Sequence, residues 1–417
     1  MGLLSDGKLR IGYGQNGNNR VGDFDAYSTI TLPINIAYPI NNVPIRGAAS
    51  SQIGNPELKW ETTEEANIGL DLGFLNNKIT VTAEVYRKNT RDLLLQADLP
   101  PSTGYGSAFK NIGSVRNEGL ELTLNTKNIN AKNFHWSTSF NIAFNRNKVI
   151  GLNEGQDEML TSIRWDNIWQ NIPAYIARVG QPIGLMYGFI SDGVYQLNDF
   201  NEDGNGKFTL KDEITTNGNS RANIKPGDIK YMDQNGDKVV NSADYTVIGN
   251  GIPKHQGGLN NNFTYKNFDL NIFFQWSYGN DVLNVNRLVF EGNATNKTFL
   301  NQFASYNDRW SMDNQQSNNF RTGGYFGGGY SSRYVEDASY LRLKTISFGY
   351  NLPNTLLAKA KIKAARVFFA GQNLLTWTKY SGMDPEVNTY TSALTPGFDW
   401  SAYPRAKTFT FGVNLTL

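Results

Sequence analysis

The sequence contains no cysteine and only 2 histidines in 417 residues. This composition excludes a disulfide framework, a thiol site and a histidine-rich metal cluster. Long apolar runs are also missing. Hydrophobic residues make up 39% and the mean hydropathy is −0.45, so no segment approaches the ~20 apolar residues of a membrane-spanning helix. The net charge of +2 gives no reason to expect a nucleic acid as a partner.

The first residues show no export signal. Met1-Gly2-Leu3-Leu4 is followed at once by Ser5-Asp6-Gly7, without a basic start or a long apolar segment. Since the pattern described next is typical of an exported protein, we expect this chain to be a fragment of a longer one.

The sequence is rich in segments where apolar and polar residues alternate with a period of two. In one of them Ile79, Val81, Ala83 and Val85 alternate with Thr80, Thr82, Glu84 and Tyr86. The C-terminal segment alternates in the same way, with Phe409, Phe411, Val413, Leu415 and Leu417 as its apolar set. Period two places the two sets on opposite faces of a β-strand.

Such strands suit a transmembrane β-barrel, because outer-membrane lipid wets one face and a polar lumen the other. Aromatic residues at 13% and 41 glycines fit strands, aromatic girdles and turns. A water-soluble sandwich also alternates, but long strands with an aromatic-rich outer face are unusual there. The pattern therefore predicts an all-β, antiparallel transmembrane barrel.

Ten membrane strands are predicted, and their connections alternate between short and long. The strands lie near 8–15, 61–75, 78–95, 113–126, 134–150, 256–265, 268–278, 339–350, 366–377 and 407–417. The short connections are 76–77, 127–133, 266–267 and 351–365, and the long ones are 16–60, 96–112, 151–255, 279–338 and 379–406. Because barrels have short periplasmic turns and long extracellular loops, the long loops are predicted to cluster outside the cell.

The strands should form one contiguous antiparallel wall whose edges are 8–15 and 407–417. The apolar set, predicted to face outward, includes Phe140, Ile142, Phe274 and Phe411. The polar set, predicted to face inward, includes Asn141, Asn271, Asn414 and Thr410. Both edges would be open for further strands.

Several motifs resemble the barrel of SusC/RagA-type TonB-dependent outer-membrane transporters, in the order of that family and over nearly the whole chain. They are Asn55-Pro56-Glu57-Leu58-Lys59-Trp60-Glu61-Thr62, Ala66-Asn67-Ile68-Gly69-Leu70-Asp71, Val85-Tyr86-Arg87-Lys88-Asn89-Thr90-Arg91-Asp92-Leu93-Leu94, Asn111-Ile112-Gly113, Asn117-Glu118-Gly119-Leu120-Glu121-Leu122, Gly180-Gln181-Pro182-Ile183-Gly184, Tyr187-Gly188, Gly227-Asp228-Ile229-Lys230-Tyr231, Asp233-Gln234-Asn235-Gly236-Asp237, Tyr340-Leu341-Arg342-Leu343-Lys344, Gln372-Asn373-Leu374 and Tyr403-Pro404-Arg405.

The resemblance implies a barrel of about 22 strands with an N-terminal plug, in the outer membrane of a Gram-negative bacterium. Residues 1–417 would be its C-terminal part, with about ten strands, while the plug and the N-terminal strands are absent. The chain also ends in Leu417, where the family usually has an aromatic residue. The resemblance implies import of oligosaccharides or other nutrients, with a SusD-like surface lipoprotein, the TonB complex and a glycan or peptide cargo as partners.

Aromatic residues of the long loops are candidates for contact with that cargo, since aromatic rings stack on sugars. The candidates are Trp165, Trp169, Tyr325, Tyr330, Trp400 and Tyr403. The alternative for each is packing against neighbouring loops or the lipoprotein. The surface for the lipoprotein is expected on the loops 151–255, 279–338 and 379–406, because interfaces favour Tyr, Trp and Arg. The residues expected there are Trp165, Trp169, Arg309, Trp310, Tyr325, Arg333 and Trp400.

One acidic segment resembles a calcium loop. Oxygen ligands occur at positions 1, 3, 5, 9 and 12, with a carbonyl at position 7, which is the spacing of EF-hand loops. The residues are Asp233, Asn235, Asp237, Asn241 and Asp244, with Val239 supplying the carbonyl. The match is imperfect, because Lys238 replaces the usual glycine at position 6. A hairpin turn rich in Asn and Asp, without metal, is the alternative.

No residues point to an enzyme. Glu118 and Glu121 resemble a pair of catalytic carboxylates, but a separation of three places them on opposite faces of a strand. His135 and His255 have no candidate nucleophile near them in the sequence. A passive porin or a surface adhesin remains the alternative to energy-coupled import, because either would share the strands and the long loops.

Overall fold

One antiparallel sheet of ten strands forms the frame of the protein. The structure is a computed structural model that describes residues 3–19, 22–32, 37–99, 101–152, 156–291, 299–325, 328–358, 361–390 and 392–417. In chain order the strands are β1 (Leu4–Asn18), β2 (Glu61–Phe74), β3 (Ile79–Arg91), β4 (Ser114–Asn130), β5 (Phe134–Gly151), β6 (His255–Tyr265), β7 (Phe268–Tyr278), β8 (Tyr340–Asn351), β9 (Ala364–Thr378) and β10 (Thr408–Thr416). Each strand pairs with the next along the chain.

The predicted wall is therefore confirmed in strand number, order and direction. Most strands begin or end a few residues away from the predicted bounds. β4 runs on to Asn130, so the connection to β5 is only 131–133. The predicted strand 78–95 is too long, because β3 ends at Arg91 and Leu94–Asp98 forms a separate hairpin with Ser107–Asn111. Among the described residues, β1 and β10 are the two edges of the sheet.

The register gives the sheet one apolar and one polar face. Directly opposite residues on neighbouring strands share a face. One apolar row runs across five strands, from Ile11 through Ile68, Val85 and Leu120 to Phe144. A polar row on the other face runs from Asp71 through Thr82 and Thr123 to Asn141 and on to Gly258.

The predicted outward and inward sets lie on these two faces. Phe140 and Phe274 both stand opposite Leu259. Thr410 is joined to Asn271 through Ala370 and Ser347, which lie between them on the polar face. The two faces of the sheet are thus the ones that the sequence alternation predicts.

Two short connections are tight turns. In the first, Leu75, Asn76 and Asn77 have φ values of 52°, 55° and 58°, a left-handed conformation that Asn tolerates better than most residues. The second consists of only two residues, Lys266 and Asn267, between β6 and β7.

The long connections carry small elements of their own. Their further strands are Thr29–Thr31, Ala37–Ile40, Val43–Arg46, Ala49–Gln52, Glu158–Ser162, Pro173–Arg178, Leu185–Gly188, Ser191–Val194, Phe200–Glu202, Phe208–Leu210, Ile229–Tyr231, Thr246–Asn250, Asp281–Asn284, Val335–Asp337 and Phe398–Asp399. The α-helix α1 (Val285–Phe290) lies in a long connection, and 3-10 turns cover Pro101–Thr103, Leu197–Asp199, Arg221–Asn223, Ser242–Asp244, Ala304–Asp308 and Ser332–Tyr334. A second α-helix, α2 (Asn354–Leu357), lies in the short connection between β8 and β9. Within the described part of the chain, neither α-helix is long and apolar enough to cross a membrane.

Candidate functional site

Three long connections fold together into one layer, which we call the loop layer. It consists of the described residues of 152–254, 279–339 and 379–407. All three contribute to one buried apolar core: Ile163, Trp169, Ala174, Tyr175, Met186, Leu283, Val285, Leu288, Val289, Tyr330, Tyr334 and Phe398. The prediction that these loops cluster is confirmed. This core lies outside the ten-stranded sheet, in segments where the sequence has no clear periodicity.

Backbone hydrogen bonds join the loops of this layer. Phe189 N donates to Tyr330 O at 2.9 Å, and Ser332 N donates to Phe189 O at 2.9 Å. The second and third loops meet where Leu283 pairs with Phe398 in a parallel bridge. Gly188 permits the first junction, because a Cβ at this position would lie 2.2 Å from the Tyr330 carbonyl oxygen.

Five of the six candidate aromatic residues lie in or against the core of the loop layer. The Trp165 indole Nε1 donates to the Tyr330 hydroxyl at 2.8 Å, and its ring centroid lies 4.8 Å from that of Trp400. Trp169 is 1% exposed and Tyr330 is 0% exposed. A ligand could reach these two rings only if the loops separated.

The other candidates are more accessible. Trp165, Trp400 and Tyr325 are half-buried, and Tyr403 is 92% exposed. Burial raises the pKa of the Tyr330 phenol, and the hydrogen bond from Trp165 only partly offsets this effect. Tyr330 therefore stays neutral and acts in packing. Cargo contact by the accessible four stays a prediction.

A cleft of about 1040 Å³ opens between the second and third loops of the layer. Its apolar lining comes from Phe290 and Phe303 on one side and from Met383, Tyr403 and Pro404 on the other. Met383 is 77% exposed. The size and the mixed lining are those of a small-molecule or side-chain pocket. The sequence marks Tyr403 as a candidate, whereas no motif marks Phe303 or Met383.

The polar side of the cleft is held together by ion pairs. Arg287 Nη2 lies 3.0 Å from Glu291 and its Nη1 lies 3.3 Å from Glu336, while Arg333 lies 3.7 Å from Glu291. Burial acts to lower the pKa of Arg287, but the two carboxylates outweigh it and raise that pKa. The two arginines and the two glutamates neutralise one another. They therefore fix the shape of this side of the cleft and leave little unpaired charge for a ligand.

Amide and carboxylate groups fix the third loop in the same way. Asp399 accepts a hydrogen bond from the Tyr380 hydroxyl at 2.5 Å. Asn286 accepts one from the backbone N–H of Ser401 at 2.8 Å. Both contacts join the segment that carries Tyr403 to the rest of the loop layer.

A second charged cluster anchors the third loop to the sheet. Arg342 of β8 is 2% exposed and lies 2.6 Å from Asp384. It also donates to Glu386, which is 3.3 Å from Arg405. In the sequence, Arg342 and Arg405 stand out only as parts of motifs. Their acidic partners are more than forty and almost twenty residues away in the chain, so spacing could not reveal the cluster.

The candidate calcium segment forms a series of turns. Asp233 accepts hydrogen bonds from the backbone N–H groups of Gly236 and Lys238, both at 2.7 Å. Although desolvation acts to raise the pKa of Asp233, these N–H groups outweigh it and lower that pKa. Asp244 accepts from the backbone N–H groups of Gln234 and Asn241, both at 2.8 Å.

The other members of this segment also bond within the turn. Asp237 Oδ1 accepts from Val239 N–H and Asn241 Oδ1 accepts from Ala243 N–H, both at 2.8 Å, and Asn235 Oδ1 accepts from Asp237 N–H at 2.9 Å. Over the described residues, no three acidic, His or Cys side chains form a group that could hold a metal. Convergence of Asp233, Asn235, Asp237 and Asp244 on one calcium ion stays a prediction, as does calcium binding itself.

The two candidate carboxylates of an enzyme lie apart, as the alternation predicts. Glu118 stands opposite Arg87 and pairs with it at 2.7 Å, while Glu121 stands opposite Glu84 on the polar face. His255 Nδ1 accepts a hydrogen bond from Trp276 Nε1 at 3.2 Å. Glu118, Glu121 and His255 thus belong to strands of the ten-stranded sheet, and the contacts given for Glu118 and His255 are contacts within that sheet.

Comparison with known proteins gives one family. Residues 3–250 match the family model described as TonB dependent receptor-like, beta-barrel. The chain is 35% identical over 415 residues to TonB-dependent receptor P3 of Formosa agariphila, covering 98% of this chain and 39% of that protein. It is 31% identical over 420 residues to TonB-dependent receptor SusC of Bacteroides thetaiotaomicron, covering 99% of this chain and 38% of that protein.

Solved structures of the RagAB peptide transporter are also similar. One superposes with a TM-score of 0.77 at 26% identity and covers 99% of this chain and 41% of that one. The closed-closed state of the RagAB peptide importer gives a TM-score of 0.78 at 25% identity, with 100% and 41% covered. The chain thus spans about two fifths of the length of the proteins it matches.

Proposed function

The chain belongs to the TonB-dependent receptor-like β-barrel family, and from that premise we propose that it forms one side of an energy-coupled importer of oligosaccharides or peptides. The family resemblance to SusC and RagA transporters stated from the motifs is confirmed by the matched relatives. Proteins of this family lie in the outer membrane of Gram-negative bacteria, so the apolar face of the sheet meets lipid. The family consists of transporters, which are not enzymes.

The observation that carries the proposal is the cleft of the loop layer. Tyr403 and Met383 project their side chains at its mouth, with 92% and 77% exposed, while the charged groups behind them are already paired. An exposed ring beside a rigid polar wall suits a cargo that stacks and hydrogen-bonds, such as a sugar ring or a peptide side chain.

Import by this protein would involve no bond chemistry. Cargo would bind in the loop layer beneath a SusD-like surface lipoprotein. The TonB complex would then displace part of a plug domain and release the cargo into the periplasm. A plug and further strands would belong to the longer protein, because this chain spans only two fifths of its relatives. The orientation with short turns in the periplasm is part of this proposal.

A transport assay in cells tests the proposal. The full-length protein is expressed with and without TonB, and uptake of a labelled neutral oligosaccharide and of a labelled peptide mixture is measured. We expect uptake of one of them to require TonB. Replacing both cleft rings in the double variant Phe303→Ala, Tyr403→Ala should reduce that uptake about tenfold, because each ring contact is worth ~0.5–1.5 kcal/mol.

The control is Leu356→Ala, which changes a side chain that is 62% exposed in the short connection 352–363, away from the loop layer. It should leave uptake unchanged. Uptake that continues without TonB would indicate the alternative of a passive porin. Surface binding without any uptake would indicate an adhesin.

Calcium binding in the segment 233–244 is a separate proposal. It is supported by the spacing of the oxygen ligands. The structure gives these oxygens backbone partners, which calcium would have to replace at least in part.

A further inference from the structure

The four short connections of the sheet are rich in lysine and contain no acidic residue. They are 75–78, 131–133, 266–267 and 352–363, and each has at least one lysine but neither Asp nor Glu. The long connection 152–254 instead has more acidic than basic residues. One end of the sheet is therefore basic, although the net charge of the whole chain is only +2.

Lys266 lies at the apolar face of this basic end. Its Nζ is 5.5 Å from the centroid of the Tyr265 ring. Tyr265 in turn stands opposite Phe134 and Phe268, which are residues of the apolar face. A lysine beside such a ring keeps its ammonium in water while its chain covers apolar surface.

Two further lysines lie along the same edge. Lys132 is in the adjoining turn, since Lys266 N–H donates to Asn133 O at 2.8 Å. Lys363 precedes β9 and continues the alternation of Ala365, which pairs with Leu415 on the apolar face. All three lysine side chains are exposed, and none of them forms an ion pair in the described part of the chain. Lys78 and Lys127 differ, because they line a polar hollow with Asp6.

Aromatic residues form a belt just inside these lysines. Trp136 stacks on Phe263 with centroids 5.6 Å apart. Phe268 contacts Phe348 and Tyr350 at 5.7 Å and 4.6 Å. Aromatic belts mark the depth at which a membrane meets water. The three lysines are therefore at the depth of the lipid head groups.

The spacing of the three turns and the backbone conformation of Lys266 also indicate that the positive charge of these lysines has a role. Successive turns are two strands apart, roughly 10 Å, which is about the Debye length at 0.1 M salt, so the three ammonium groups act on one surface. Lys266 has a φ of 51°, in a two-residue turn where Asn or Gly would be less strained. Turn geometry alone thus does not explain a lysine here.

We propose that Lys132, Lys266 and Lys363 form a binding edge for the phosphodiester head groups of anionic phospholipids in the leaflet next to the short turns. Each head group would accept hydrogen bonds from an ammonium group, while its acyl chains pack on the aromatic belt. The edge would hold the barrel at a fixed depth and attract phosphatidylglycerol over zwitterionic lipids. This property is independent of the cargo and of TonB.

Lipid retention by the full-length protein tests this binding edge. The protein in a neutral detergent is mixed with phosphatidylglycerol or phosphatidylcholine of the same acyl chains, and bound lipid is counted by native mass spectrometry. We expect preference for phosphatidylglycerol to fall about tenfold or more in the triple variant Lys132→Gln, Lys266→Asn, Lys363→Gln, since each lysine near an anionic surface contributes roughly fivefold. The preference of the unchanged protein should also weaken as salt is raised.

The matched control replaces three exposed lysines of the loop layer, with Lys207→Gln, Lys225→Gln and Lys238→Asn. Lys238 has a φ of 64°, so both sets contain one substitution at a left-handed position. The control should keep the lipid preference. Equal retention of the two lipids by the unchanged protein, or equal loss in both triple variants, would overturn the proposal. The single variant Lys266→Asn relieves the turn, so it should weaken the preference without lowering the melting temperature.

Discussion

The Arg342 guanidinium joins the sheet to the loop layer, with its Nη2 2.6 Å from Oδ1 of Asp384. Arg342 also donates to Thr376 of the neighbouring strand at 3.0 Å. Asp384 directly follows Met383, whose side chain lines the cleft. The ion pair therefore fixes one wall of the candidate cargo site to the polar face of the sheet.

Removing Arg342 should loosen the third loop. Arg342→Met leaves the carboxylates of Asp384 and Glu386 without their buried partner, and removal of one member of such a pair costs about 3–5 kcal/mol. Hydrogen exchange of residues 379–407 in the full-length protein measures this loss. Arg405→Gln is the control, because the Arg405 side chain is 49% exposed and an exposed pair is worth ~0–1 kcal/mol. Equal effects of the two substitutions would contradict the assignment of Arg342 as the anchor.

The same pair predicts a pH dependence of the loop. Burial acts to raise the pKa of Asp384, but the hydrogen bond and charge of Arg342 outweigh it and lower that pKa below its usual value. An acid with a lowered pKa contributes stability above its unfolded pKa of about 3.9, and this stability is lost as the pH falls through the folded pKa. At pH 7, residues 379–407 should thus be better protected from hydrogen exchange in the unchanged protein than in the variant Asp384→Asn. This difference in protection should shrink below about pH 4. A difference that is constant with pH would refute this linkage.

The sheet could be predicted from the sequence because its physical rule is local. Successive residues of β5 and β10 point to opposite faces of the sheet, one apolar and one polar. The alternation is therefore visible in the sequence of each strand by itself, even when its neighbouring strands are unknown. The alternation of short and long connections then gives the strand order. Bounds were less exact, as at Lys127 in β4, because pairing with Ser137 extends a strand through residues that resemble a turn.

The loop layer could not be predicted in the same detail. Its contacts join residues that are distant in the sequence, and the sequence of the loops shows no periodicity. Trp169 and Tyr330 were candidates for cargo contact because they are aromatic and lie in loops. Their rings are 4.9 Å apart, across a separation of 161 residues that no pattern encodes. The cleft residues Phe303 and Met383 line the same cavity for the same reason, because they come from two different loops.

Trp169 should stabilise the loop layer without contacting cargo. Trp169→Ala removes a buried indole and should cost about 3–5 kcal/mol, seen as faster proteolysis of 152–254. Trp169→Phe should cost less than Trp169→Ala, because it keeps an aromatic ring in the core and because the lost indole Nε1 has no hydrogen-bond partner among the described residues. If Trp169→Phe instead abolished cargo binding with the loop still protected from protease, Trp169 would be a cargo contact.

Calcium, if it binds at 233–244, should bind weakly. Calcium requires six to eight oxygens, and those of Asp233 and Asp244 already accept backbone hydrogen bonds. We expect a Kd in the range of about 10⁻⁴ to 10⁻³ M, as in extracellular modules, measured by calorimetry on the full-length protein. The double variant Asp233→Asn, Asp237→Asn should abolish the heat, while Asp203→Asn in a neighbouring acidic turn should not. An unchanged heat in the double variant would mean that the segment is a turn only.

The surface for a SusD-like lipoprotein should include exposed apolar residues of the loop layer. Two aromatic residues expected at this surface are buried, Trp169 at 1% and Trp310 at 5% exposed, while Ile168 and Met312 are 56% and 55% exposed. Deleting 315–332, the direct test of this surface, would also remove the buried Phe320 at 2% exposed and so disturb the core of the layer.

Point substitutions avoid that damage. Ile168→Asp and Met312→Asp together should reduce co-purification of the lipoprotein with the full-length protein at least tenfold, because a charge placed in the core of an interface loses its hydration. Leu356→Asp, at 62% exposed and in a short connection, is the matched control and should have no effect. If the lipoprotein co-purifies equally with the double variant and with the control, Ile168 and Met312 do not contact it. The lipoprotein must then bind the loops 19–60 and 92–113 instead.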